Sequence, residues 1–253
     1  MRNRSFASLV CLPILLVHSG LAAQVATDLN IATGLDISAS VGRDDEWLER
    51  VGTGRGIASQ AFMEAVLSGR HGRVGVAVFA WSSHGCPLKV AWRVIETLED
   101  AAVIARTLEA TPLIDFEHDV GPPDHDQFID TGLLHQKLSS GNDRLTDLSR
   151  AIECGRHLLS HTPFSATRSV LNIIGDGVDN LAEEPDAARD RAVAAGITVN
   201  GVVVNASPAV VGYYRNHVIG GHGAFVLDVA DPATMIDVMT KKFLLDIASA
   251  ALP

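Results

Sequence analysis

The chain carries a series of short, mostly apolar runs: Leu29 to Ile37, Val74 to Trp81, Ser169 to Ile174, Ile197 to Val204 and Ala224 to Val229. A strand with one wet face alternates apolar and polar residues. A strand covered on both faces does not need to, and reads as a nearly continuous apolar run. Between most of these runs lie stretches of helical periodicity. Alternating strand and helix with doubly covered strands predicts an α/β fold: a doubly wound, mostly parallel central sheet with helices on both faces. One run departs from this pattern. Leu88, Val90, Trp92 and Val94 fall on one side of Leu88 to Val94, as in a half-covered edge strand. The short link from Ser82 to Pro87 turns that strand back beside Val74 to Trp81, so this edge pair should be antiparallel.

Helical periodicity is expected from Asp44 to Leu67, with Trp47, Leu48, Val51, Phe62, Val66 and Leu67 available for an inner face. Gly52, Gly54 and Gly56 interrupt that stretch. Each helical glycine costs about 1 kcal/mol relative to alanine, so a break or kink is expected there. Further helices are expected at Leu98 to Leu108, Leu145 to Leu159, Pro185 to Ala195 (with Gly196 as its stop), Val210 to Val218 and Pro232 to Ala248 (with Asp231 as its cap). Residues 112–142 read as an irregular insertion in a single domain spanning 23–253. It holds Asp115, Glu117, His118, Asp119, Asp124, His125, Asp126, Asp130 and His135. Mixed His and carboxylate of this kind binds metals in some proteins. A solvated acidic loop near the partner-binding face is the favoured reading.

Residues 1–22 have the layout of an export signal. Arg2 and Arg4 precede an apolar run from Phe6 to Val17, and small residues follow at Gly20, Ala22 and Ala23. That run is shorter than the roughly 20 apolar residues of a spanning helix. No later stretch is long and apolar enough to span, so the expected location is periplasmic or secreted. Loss of Arg2 and Arg4 would take the formal charge from −10 to about −12. Such a charge argues against nucleic acid and acidic membranes as partners and suits a protein that attracts cations. Cys86 and Cys154 would remain. An exported location permits a bridge between them, but two separately buried thiols are the favoured expectation. There is no Cys-x-x-Cys pair to suggest a structural zinc site or a redox motif.

Three motifs fall at expected strand ends or helix starts. In open α/β sheets, ligands bind at the carboxyl ends of the strands. Asp36-Ile37-Ser38-Ala39-Ser40 puts a carboxylate and two hydroxyls on one tight loop. Hard cations take oxygen ligands of this kind, and a plain helix N-cap would use the same residue types. Gly175-Asp176-Gly177-Val178-Asp179-Asn180 sets Asp176 between two glycines just past another strand, as either a ligand or an Asp-Gly turn. Thr146, opening a later helix, is either a ligand or a cap.

Together, D-x-S-x-S after the first strand, a lone Thr opening a later helix and an apolar strand ending in G-D-G-x-D-N resemble the von Willebrand factor type A domain. The resemblance covers nearly all of the chain after the signal. Residues 68–74, 194–201, 213–215 and 218–221 look closest to a bacterial branch of exported proteins with this domain. The resemblance implies a metal-ion-dependent adhesion site (MIDAS) at Asp36, Ser38, Ser40, Thr146 and Asp176. It implies a divalent cation there, Mg²⁺ first and Mn²⁺ second, with an open position filled by an acidic side chain of a protein partner. The run Gly141-Asn142-Asp143-Arg144-Leu145-Thr146 departs from the family, which usually has glycines just before the Thr. No G-x-S-x-G elbow, H-E-x-x-H helix or phosphate-gripping Lys accompanies the motifs. The expectation is therefore a non-enzymatic binding module. The alternative is a Mg²⁺-dependent hydrolase or phosphoryl-transfer enzyme using the same acidic site.

Overall fold

The computed structural model describes residues 24–117, 129, 144–181 and 184–248. In chain order the elements are β1 (Val25–Ala26), β2 (Leu29–Asp36), α1 (Arg43–Ile57), α2 (Gln60–Leu67), β3 (Val74–Trp81), β4 (Leu88–Ile95), α3 (Leu98–Ala110), α4 (Leu148–Ser160), β5 (Phe164–Ser165), β6 (Ser169–Gly175), α5 (Asp186–Ala194), β7 (Ile197–Val204), α6 (Pro208–Tyr213), β8 (Val226–Val229) and α7 (Met235–Ala248). A π-helical turn, Tyr214–Val218, continues α6, and a short 3-10 turn, Pro232–Thr234, leads into α7.

The main sheet has six strands in the order β4-β3-β2-β6-β7-β8. Every pairing in it is parallel except β3 with β4. Because β2, β3, β6, β7 and β8 run the same way, their carboxyl ends share one edge, and both carboxylate-bearing motifs arrive there. β2 and β3 are buried along their whole length, as their apolar sequences require. Alternate residues feed two cores. Leu29, Ile31 and Leu35 pack with α1, α2, α3 and α7 on one face. Ala32, Phe79, Leu171 and Val203 pack with α4, α5 and the π turn on the other.

The stretch expected as one kinked helix is two helices, and the break falls at Ala58-Ser59 rather than at the glycines. Ser59 caps α2 by accepting from the Phe62 amide at 3.2 Å. The glycines stay inside α1 because neighbouring helices come too close for a side chain. A Cβ on Gly52 would lie 2.6 Å from Met235 Cγ, on Gly54 3.0 Å from Ala105 Cα and on Gly56 2.9 Å from Met239 Cβ. Val51, Phe62 and Val66 face inward as expected, but Trp47 and Leu67 are exposed. α4 starts at Leu148, capped by Asp147, so Thr146 precedes the helix instead of opening it.

Cys86 and Cys154 form a disulfide across a sequence separation of 68, with Cα atoms 6.5 Å apart. This corrects the expectation of two separate thiols: the turn between β3 and β4 packs against the middle of α4, a proximity that spacing alone does not reveal. A buried polar row also crosses the α7 side of the sheet. Asn172 and Asn200, register partners on β6 and β7, donate to the Asp246 carboxylate at 3.1 and 2.9 Å, and Lys242 pairs with the same group. Residues 1–22, read as an export signal, and most of the acidic insertion, from His118 through Asn142 apart from Ile129, lie outside the described residues.

Candidate cation site at the sheet edge

Asp36 ends β2, where the chain leaves the sheet and turns into the loop before α1. Its carboxyl Oδ1 accepts from the Ser38 amide at 2.7 Å, which holds the loop tight. The Ser38 and Ser40 hydroxyls are 3.1 Å apart, and Ser40 Oγ donates to Asp176 Oδ1 at 2.9 Å across 136 residues of chain. Thr146 enters from a third loop. Its Oγ1 lies 3.6 Å from where a Cβ on Gly177 would stand, so the hydroxyl faces the Asp176 loop. The fold therefore gathers all of Asp36, Ser38, Ser40, Thr146 and Asp176 at one sheet edge.

Main-chain bonds fix the three loops to one another. The Ala39 amide donates to Arg144 O at 2.7 Å, joining the first loop to the second. The second and third are joined reciprocally: the Thr146 amide donates to Asn180 Oδ1 at 2.9 Å, and the Asn180 amide donates to Thr146 O at 3.2 Å. Asp179 accepts from the Leu148 amide at 2.7 Å and the Leu181 amide at 2.8 Å, tying the start of α4 to the Asp176 loop. In place of the family's glycines before the Thr, Arg144 is buried and its Nε donates to Ile37 O at 2.8 Å.

The electrostatics are those of carboxyls with little water. Burial pushes the Asp36 carboxyl up to about 8, with the negative charge of Asp176 adding to the effect. Burial likewise raises Asp176 and Asp179 above the usual carboxylate range. Asp36 Oδ2 has no hydrogen-bond partner. A buried carboxylate oxygen without a donor costs several kcal/mol if ionised, unless positive charge meets it. The side chains that converge here offer only oxygen: two carboxylates and three hydroxyls. That donor set fits a hard divalent cation, and its mix of few carboxylates with neutral oxygens is one that leaves room for water or an outside ligand. Gly175 makes the approach possible. A Cβ there would sit 2.7 Å from Asp36 Oδ2 and 2.9 Å from the Tyr214 hydroxyl.

Two residues at this site were not singled out as functional from the sequence. Glu49 on α1 is fully buried, and its Oε2 accepts from the Asp36 amide at 3.2 Å. Its signal was present as a polar stripe at helical spacing, Glu46, Glu49, Arg50 and Thr53, all buried. Tyr214 is buried, and its hydroxyl points at the site from the π turn. A second cluster, Glu184, Asp186 and His217, brings ligand atoms within 4.8 Å of one another. Its polar atoms already have partners: Asp186 pairs with Arg189 and His217, and Glu184 accepts from the Tyr213 hydroxyl.

The fold, a mostly parallel sheet with one antiparallel edge strand and helices on both faces, is von Willebrand factor type A-like. The chain belongs to the family described as "Protein of unknown function (DUF1194)", whose model matches residues 25–120 and 121–251. No curated protein matches it. Among solved structures it is similar to proximal thread matrix protein 1 from the mussel byssus, at 12% identity and a TM-score of 0.55 over 90% of this chain and 50% of that one. It is also similar to that protein's form with a zinc-occupied MIDAS motif, at 15% identity and a TM-score of 0.53 over 90% of this chain and 50% of that one. The pilus adhesin SpaC from Lactobacillus rhamnosus GG matches at 10% identity and a TM-score of 0.56, over 88% of this chain and 31% of that one. The chain thus spans about half the length of the mussel protein and less of the adhesin. At these identities the likeness concerns the fold. Among the described residues, no helix is long and apolar enough to cross a membrane.

Proposed function

We propose that this protein is an exported binding module of the adhesion type. It holds a divalent cation, Mg²⁺ or Mn²⁺, among Asp36, Ser38, Ser40, Thr146 and Asp176, and recruits a protein partner through an acidic side chain that completes the ion's coordination. The observation that carries this reading is the chain-distant contact between Ser40 Oγ and Asp176 Oδ1, 2.9 Å, beside a buried Asp36 oxygen with no donor. The cation would supply the attraction, and the surface around it would supply selectivity. The zinc-occupied motif in the mussel protein supports a metal at this place in the fold. The disulfide supports an oxidising compartment, in line with the signal-like residues 1–22, and the periplasm or the cell exterior both meet that condition.

The test is capture from the native cell envelope on immobilised protein, with Mg²⁺ and with chelator. A partner retained with Mg²⁺, released by chelator and absent with Asp36→Ala supports the reading. Equal capture in all three conditions would contradict it.

A further inference from the structure

Lys242 and Asp246 stand one turn apart on α7, paired through Asp246 Oδ2, and both are 0% exposed. A buried ion pair is often no more stabilising than apolar residues of the same volume, so stability alone does not explain why charge sits here. The same carboxylate reaches the sheet. Asn172 on β6 donates to Oδ2 at 3.1 Å, and Asn200 on β7 donates to Oδ1 at 2.9 Å. Arg168 approaches from the edge of the group and donates to the main-chain oxygen of Asp246 at 3.0 Å. The rest of the wall is aromatic: Lys242 Nζ lies 5.2 Å from the centre of the Phe243 ring and 5.9 Å from that of Phe225.

An amine, a carboxamide and a carboxyl group that touches both are the parts of an amide-exchange reaction. Lys242 Nζ and Asn172 Nδ2 meet the same oxygen, so amine and amide are neighbours. Burial pulls the Lys242 ammonium down to about 8, against the opposing charge of Asp246, and so favours the neutral, nucleophilic amine. Holding such groups together away from water replaces a very high concentration of one in the other. The two amides are not equivalent. Asn200 is held at both ends, because its Oδ1 also accepts from the Phe225 amide at 3.0 Å. Asn172 Nδ2 has a second, longer bond to Thr33 Oγ1 at 3.4 Å, but its Oδ1 has no partner. Its amide is therefore the one that can turn its carbon toward the amine.

We propose that Lys242 Nζ condenses with the Asn172 side chain to form an isopeptide bond, with Asp246 as the proton carrier and ammonia as the leaving group. Asp246 takes one proton from the Lys242 ammonium, and the amine adds through its lone pair to Asn172 Cγ. A second proton passes from that nitrogen to Nδ2 by way of the same carboxyl group. The Cγ–Nδ2 bond breaks and its electrons leave with ammonia, which carries off the first proton as ammonium. One ammonium and one primary amide thus become one secondary amide and a free ammonium ion. No oxidant, nucleotide or metal is needed. The product ties α7 covalently to β6 in the middle of the sheet.

The experiment is tryptic peptide mapping by mass spectrometry of the full folded chain, reduced before digestion. The proposal expects residues 169–189, which hold Asn172, joined to residues 242–253, with no cleavage after Lys242 and a mass one ammonia below the sum of the two peptides. The map is needed because other Asn and Gln side chains also lose ammonia. Lys242→Met and Asn172→Ala should each abolish the joined species and melt below wild type, and Asp246→Ala should slow its formation. Wild-type peptides cleaved after Lys242 with no joined species would overturn the proposal. So would Lys242 joined to residues 192–215, which hold Asn200, or an undiminished link in Asp246→Ala. If the variants do not fold, the wild-type map decides alone.

Discussion

Asp36 is fully buried, and one of its carboxyl oxygens has no donor. The consequence for pH follows from the direction of its shift. Burial raises the group from its ordinary 3.8 to about 8 in the folded chain. Between those values the folded state holds a proton that the unfolded state has lost, so the cation-free fold loses stability as pH rises from about 4 to about 8. A bound cation favours the ionised carboxylate and opposes that trend. Melting the protein in chelator and in excess Mg²⁺ should therefore give curves that diverge as pH rises, with the larger cation effect at pH 8. Parallel curves across that range would show that Asp36 does not face the ion. Asp36, Ser38, Ser40 and Asp176 could be set at strand ends from sequence alone, because short motifs stay local after folding, and the fold brings those two loops into contact. Glu49 was harder to see. Its stripe on α1 is visible in the periodicity, but nothing local says that its carboxyl ends against the Asp36 amide 13 residues back.

At the scale of elements, the site depends on how firmly three loops are braced. The turn between β3 and β4 bears on the Thr146 loop directly: the Ser83 amide donates to Leu145 O, and the Leu145 amide donates to Ser83 Oγ, both at 2.9 Å. The Cys86–Cys154 disulfide anchors the same turn to α4. Closing a loop of that separation removes chain entropy from the unfolded state, with a typical stabilisation of about 2–4 kcal/mol. Cys154→Ser should lose about that much in a urea melt. It should also weaken Mn²⁺ binding, because the brace on Thr146 loosens; loss of stability with unchanged affinity would separate the disulfide from the site. The strands were legible in outline because doubly buried strands are apolar throughout. The α1–α2 boundary was misplaced because the glycine signal has two causes, chain breaking and close helix packing, and only the positions of Met235, Ala105 and Met239 distinguish them. Trp47 and Leu67 followed an apolar period, yet the break at Ala58-Ser59 and the packing partners of α1 leave them in solvent.

At the scale of the whole molecule, parallel strands bring segments 136 residues apart to one edge, as the Ser40–Asp176 contact shows. The two apolar cores hold the sheet from both faces, while the buried Lys242–Asp246 pair, bonded to Asn172 and Asn200, ties α7 to β6 and β7. A scaffold fixed this way would hold the proposed cation site in place without the ion. The most direct test of that account is the stoichiometry of Mn²⁺ bound by the full chain, measured by calorimetry beside Asp36→Ala. The account predicts one ion per wild-type chain at this site and its loss in the variant. The same uptake by both, or none by either, would contradict it.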